Sequence, residues 1–146
     1  MIYRSKKSIY LILFSESLSV QERASELDIF ISRFPNKLGE IFKYVMKESG
    51  LTLEEISDAT WINKRMLSRW KRGDSPSIKY LTYFIVGLNI VPEVSDVLFD
   101  KARFRTDGKE YFVWKYLKDN CYLLDISDFT EKLESEQLIG LKNPNV

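Results

Sequence analysis

Residues 50–73 read GLTLEEISDATWINKRMLSRWKRG, and how that string is parsed decides the fold. Thr52 is suited to cap a helix N-terminus, and Glu55 three positions later completes a capping box. In that arrangement the hydroxyl serves one free amide and the carboxylate reaches back to another. Ile56 and Ala59 supply a small apolar stripe, and Asn63 is a second N-cap. Met66, Leu67 and Trp70 follow at spacings that share one helical face. That leaves Lys64, Arg65, Ser68, Arg69, Lys71 and Arg72 for the other faces, and Gly73 where a helix end takes positive φ. The string therefore predicts two short helices joined by a tight turn, the second apolar on one side and cationic on the other.

Charge is concentrated there. Six cations and one carboxylate lie between Asn63 and Lys79, in a chain of net charge +1, so the remainder is net acidic. A cationic surface this localised suits a polyanion. The plain alternative is the solvated face of a helical bundle. Other chemistries are excluded by composition. There is no histidine, which removes His-based acid–base catalysis, His metal sites and His-activated nucleophiles. A single cysteine, Cys121, allows neither an intrachain disulfide nor a paired-cysteine zinc site, and fits a reducing, cytoplasmic setting. It lies on an apolar face, as an inert buried thiol would. Carboxylate pairs such as Glu54–Glu55 have no partner constellation and read as surface charge. No cofactor, metal site or membrane span is expected, since no apolar run approaches the ~20 residues that crossing requires. With 45% apolar residues in 146, the chain has enough material for a core.

Outward from the string, Gly50 closes a predicted helix over residues 37–49 that buries Leu38, Ile41, Phe42 and Val45. Before it, Ser19 and Glu22 repeat the capping-box pattern. Val20, Ala24, Leu27, Ile31 and Phe34 then mark an amphipathic helix that Pro35 ends. Residues 1–19 hold Arg4, Lys6 and Lys7 ahead of an apolar run. That pattern has a weak likeness to a signal peptide, but the run is short and no cleavage site follows. A short strand or tail packing on the domain or on a second subunit is expected instead. After Gly73, Ser77 caps a helix with Leu81, Phe84, Ile85 and Leu88 inward. Pro92 starts another with Val94, Val97 and Leu98 inward. Residues 111–124 carry Tyr111, Trp114, Leu117 and Cys121 at helical spacing, as core or as a subunit interface. Ser127 is expected to cap a last helix with Phe129 and Leu133, and residues 143–145 to fray.

The stretch resembles the helix-turn-helix of the Xre-like class, which includes the phage Cro and lambda repressors. Gly50-Leu51-Thr52 and Glu55-Ile56-Ser57 match the start of that pattern. Asn63, Leu67-Ser68-Arg69 and Arg72-Gly73 match its end, and Pro76-Ser77 with Leu81, Phe84 and Leu88 matches the next helix. The likeness spans residues 37–102. Three positions depart from it: Leu53 stands where Gln is usual, Trp61 where Gly is usual, and Lys71 where Glu is usual. A tryptophan at the turn predicts either a different turn or a ring packed over the helix pair. Trp70 is expected in the core.

The resemblance implies an all-α fold: a five-helix lambda-repressor-like bundle (residues 36–103), an N-terminal extension (1–35) and a two-helix C-terminal appendage (104–146). It also implies a sequence-specific transcriptional regulator, repressor-like, acting as a homodimer on double-stranded DNA. Helix 63–72 would enter the major groove, with Lys64, Arg65, Ser68 and Arg69 at base edges. Lys71, Arg72 and Lys79, with the amides of Thr52 and Leu53, would meet phosphates. The alternative is a protein-interaction module, antitoxin-like or an adaptor, on the same scaffold. An enzyme is not expected.

Overall fold

The computed structural model describes residues 19–138, and among them every regular element is a helix. The tail expected at residues 1–18 and the frayed end at 143–145 lie outside the described residues. In order, the helices are α1 (Val20–Ser32), α2 (Leu38–Ser49), α3 (Leu53–Thr60), α4 (Lys64–Lys71), α5 (Ile78–Gly87), α6 (Pro92–Ala102), α7 (Lys109–Cys121) and α8 (Ile126–Ser135). The expected all-α architecture is present, with α2–α6 as a five-helix bundle. A single hydrophobic cluster runs through it from Leu27 to Leu133.

The local signals explain most helix ends. Both capping boxes form, Ser19 with Glu22 and Thr52 with Glu55. Ser77 accepts from the Tyr80 amide at 3.2 Å, and Gly50 ends α2 in the left-handed region at φ 71°. Pro92 stands in the first turn of α6, where its missing N–H costs nothing. The cap of α8 differs from expectation. Asp125, not Ser127, accepts from the amide three residues on, at 2.8 Å, so the helix starts earlier.

The face of α1 differs too. Val20 is 85% exposed and Ala24 is exposed, while Leu27 and Phe30 are buried. The apolar contact of α1 with the bundle is made from Leu27 onward, where the Phe30 and Phe34 rings lie 5.2 and 5.6 Å from Tyr44 of α2, while Arg23 pairs with Glu93 of α6 at 3.6 Å. Leu27, Ile31 and Phe34 of the expected stripe pack on the core, and only its first two members, Val20 and Ala24, find no neighbour.

Helix α5 is the shared wall. All residues of α5 except Lys79 and Tyr80 are buried, because α3 packs on one side and α7 and α8 on another. A helix apolar all round is what such enclosure requires. At its end the backbones nearly touch. A Cβ on Gly87 would lie 2.4 Å from the Ala59 carbonyl oxygen and 2.7 Å from the Thr60 Cα. Gly87→Ala should therefore destabilise the fold by about 3 kcal/mol or more by overpacking, read as a lower denaturation midpoint.

Two polar features bind α7 and α8 to the bundle. The Asn89 side-chain amide donates to the carbonyls of Val86, Tyr122 and Leu124 at 3.1, 2.8 and 3.2 Å, tying the end of α5 to the α7–α8 loop. The second is Lys118, whose side chain is 0% exposed. Its ammonium donates to Ser95 Oγ at 2.9 Å, to Asp96 Oδ1 at 2.6 Å and to Asp119, and sits 5.1 Å from the centre of the Phe99 ring. Lys115 bridges the same two carboxylates. Burial works to raise the Asp96 pKa, but the hydrogen bonds and charges of Lys118 and Lys115 outweigh it and hold the carboxyl below its ordinary value. The stabilisation from Asp96 is thus complete above pH 3.8 and is lost as pH falls through the lower folded value. Lys118→Met should cost about 1–3 kcal/mol in chemical denaturation. The loss stays below that of a fully enclosed pair because the Asp96 side chain is 54% exposed and can rehydrate.

Candidate nucleic-acid interface

Helix α4 is only eight residues long and is held at both ends. At its start, Asn63 Oδ1 accepts from the Met66 amide at 2.8 Å. The preceding turn is stapled by side chains: Ser57 Oγ donates to the Ile62 carbonyl at 2.6 Å, and Thr60 Oγ1 accepts from the Ile62 amide at 3.3 Å. At its end, Gly39 of α2 lies so close that an added Cβ would meet Gly73 N at 3.0 Å and the Lys71 carbonyl at 3.1 Å. Between the ends, Leu67 and Trp70 point inward. The Trp70 ring sits 5.0 Å from Phe42 and 5.8 Å from Phe84, which stand 5.4 Å apart, so three rings lock α4 onto α2 and α5. Met66, expected on the buried face, is only half-buried.

The opposite face holds Lys64, Arg65 and Arg69, all exposed, with Ser68 half-buried between them. None of the three cations, nor Lys71 or Arg72, has an ion-pair partner among the described residues. Lys64 and Arg65 occupy the first turn, which has no acidic residue. The amide end of a helix carries partial positive charge, so each cation there costs about 0.3–1 kcal/mol until an anion arrives.

The remaining cations flank α4 on two shoulders. On one side, Lys71 shares a depression of about 260 Å³ with Lys43, Lys47, Leu51 and Leu53, at the N-terminus of α3. On the other, Lys79 lines a recess of about 430 Å³ with Arg69, Ser75, Ser77 and Tyr80. Arg72 is exposed at the C-cap between them. Lys43 and Lys47 escaped the sequence reading. Their spacing of four on α2 was visible, but nothing local showed that α2 would bring them beside Leu53 and Lys71. Lys43 is partly engaged by Glu40 at 3.1 Å. At the head of α3 the Thr52 amide is already bonded to Glu55 at 2.9 Å, whereas the Leu53 amide has no acceptor among the described residues.

Residues 42–82, from the middle of α2 to the middle of α5, match the helix-turn-helix family. They are a helix-turn-helix of the Xre/lambda repressor-like class. No curated protein and no solved structure matches the chain. The helix-turn-helix match leaves α1, α6, α7 and α8 outside it.

The turn of the helix-turn-helix corrects both expectations for Trp61. The residue adopts the left-handed conformation that glycine would (φ 59°, ψ 26°), and its amide donates to the Ser57 carbonyl at 2.9 Å. The turn is therefore the ordinary one. The ring is not packed over the helix pair but is 54% exposed. Left-handed backbone costs an L-residue roughly 1–2 kcal/mol, offset partly by the greater chain entropy glycine loses, roughly 0.5–1 kcal/mol. Trp61→Gly should thus raise stability by up to about 1 kcal/mol in thermal unfolding, with an unchanged fold.

Proposed function

We propose that this protein is a sequence-specific double-stranded DNA-binding transcriptional regulator, repressor-like, that inserts α4 into the major groove. The observation that carries this reading is the pair of unpartnered cations, Lys64 and Arg65, at the amide end of a rigidly held helix. The fold gains nothing from them there, while a polyanion does. An α-helix fits the major groove, and its early exposed residues reach base edges. Lys64, Arg65, Ser68 and Arg69 take that role, with Arg65 the best suited to a guanine edge through its forked donors. Lys71 and Lys79 line two separate depressions beside α4, and cations so placed suit the phosphates that border a groove. Arg72 and the Leu53 amide add phosphate contacts, and Lys43 and Lys47 join Lys71 on its shoulder.

The protein acts as a homodimer in this reading, since a two-fold operator is read by a two-fold protein. The cytoplasm is its proposed location. A protein partner is the second reading. Exposed Trp61, together with Phe112, Tyr116 and Leu123 on and after α7, favours it.

Selection from a random duplex library should enrich paired half-sites about one helical turn apart. Log affinity should fall with log salt at roughly −0.9 per phosphate neutralised. Arg65→Ala should cost about 1–3 kcal/mol and relax specificity at one base position, whereas Lys79→Ala should weaken all sequences alike. Salt-independent binding, or a uniform loss for Arg65→Ala, would sink the assignment. Recovery of a protein partner without duplex binding would favour the second reading.

A further inference from the structure

The C-terminal end of α6, the loop after it and α7 enclose a solvent-open cleft of about 400 Å³, away from the helix-turn-helix. Its lining includes Phe99, Phe104, Tyr111, Asp100, Arg103 and Lys115. The volume lies in the range of small-molecule sites, and the lining is mixed, three aromatic rings beside five polar or charged side chains. The walls are rings, with Phe104 edge-on to Phe99 at 5.2 Å and Tyr111 at 6.3 Å from Phe99.

The charges of the cleft fall into two sets. Lys115 and Asp96 are spent on each other and on the Lys118–Asp119 network, so they present little net charge. Asp100 and Arg103 are different. Neither side chain has a hydrogen bond or ion pair among the described residues, although they stand three apart at the end of one helix. Arg103 is left-handed (φ 56°, ψ 47°) and its amide donates to the Asp100 carbonyl at 3.2 Å, which turns the chain out of α6. The left-handed residue caps the end of α6, as Trp61 caps α3.

We propose that this cleft binds a small amphoteric aromatic molecule, of the aromatic amino-acid type. Its ring lies against Tyr111, the one ring of the three that is not buried, its ammonium meets the Asp100 carboxylate, and its carboxylate meets the Arg103 guanidinium. One unspent charge of each sign selects a zwitterion over an ion of either sign. The inference does not depend on DNA binding.

Calorimetric titration of the full chain tests it, with L-phenylalanine, L-tyrosine and L-tryptophan as probes. Phenethylamine and 3-phenylpropionate serve as one-charge analogues. At least one amino acid should bind saturably at millimolar concentration or below. Each analogue should bind about tenfold more weakly, the scale of one charged hydrogen bond. Asp100→Asn should abolish the advantage over phenylpropionate, and Arg103→Asn the advantage over phenethylamine. Asparagine tolerates the left-handed backbone, and both side chains are exposed, so unfolding temperatures should hold. Failure of all three amino acids to bind, analogues that bind equally well, or binding untouched by both variants would each overturn the proposal.

Discussion

Burial of Trp70 between Phe42 and Phe84 sets which way α4 faces, and the function proposed here follows from that direction. Eight residues are too few to hold a helix in water on their own. Helicity and orientation therefore come from the two side chains that go inside, Leu67 and Trp70, each contributing roughly 1.5–3 kcal/mol by burial. Against this stand the two cations at the amide end, at about 0.3–1 kcal/mol each. Packing wins, and the cations are carried on a rigid helix in a place where local electrostatics would not put them.

Because α5 supplies the other wall for Trp70 through Phe84, the helices outside the family match are not bystanders. Trp114, Leu117 and Cys121 of α7 belong to the same hydrophobic cluster. Burial raises the Cys121 thiol pKa, which keeps it protonated and unreactive, as its place on an apolar face suggested. The Lys118 network adds a directional element. A buried ammonium shared by Ser95, Asp96 and Asp119 admits one register of α7 against α6, whereas apolar contact alone tolerates sliding.

What could be read in advance divides along physical lines. Thr52 with Glu55, Ser19 with Glu22, Asn63, Ser77 and Gly50 were all legible, because caps act over three or four residues and need no knowledge of neighbours. Leu67 and Trp70 were legible because one face of a short helix leaves little choice. Lys118 was not. It sits among aromatic residues as an ordinary surface lysine would, and only α6 supplies the serine and one of the carboxylates that let it be buried. The same holds for Lys43 and Lys47 beside Leu53, and for the outward-facing Val20, whose apolar spacing found no wall to meet.

The departures from the family pattern also separate on these grounds. Lys71 in place of an acidic residue is electrostatically easy: it lies in the last turn of α4, where the carbonyl end of the helix favours a cation. Leu53 is half-buried against the hydrophobic cluster, so its change from a polar residue is repaid by contact. Trp61 has neither excuse. Its backbone is strained, no ring packs against it among the described residues, and more than half of its surface faces solvent. Only the larger entropy that glycine would lose there offsets part of that cost. A residue so placed, two positions before the cap of α4, leaves a large aromatic side chain on the surface of the helix-turn-helix beside its cationic helix.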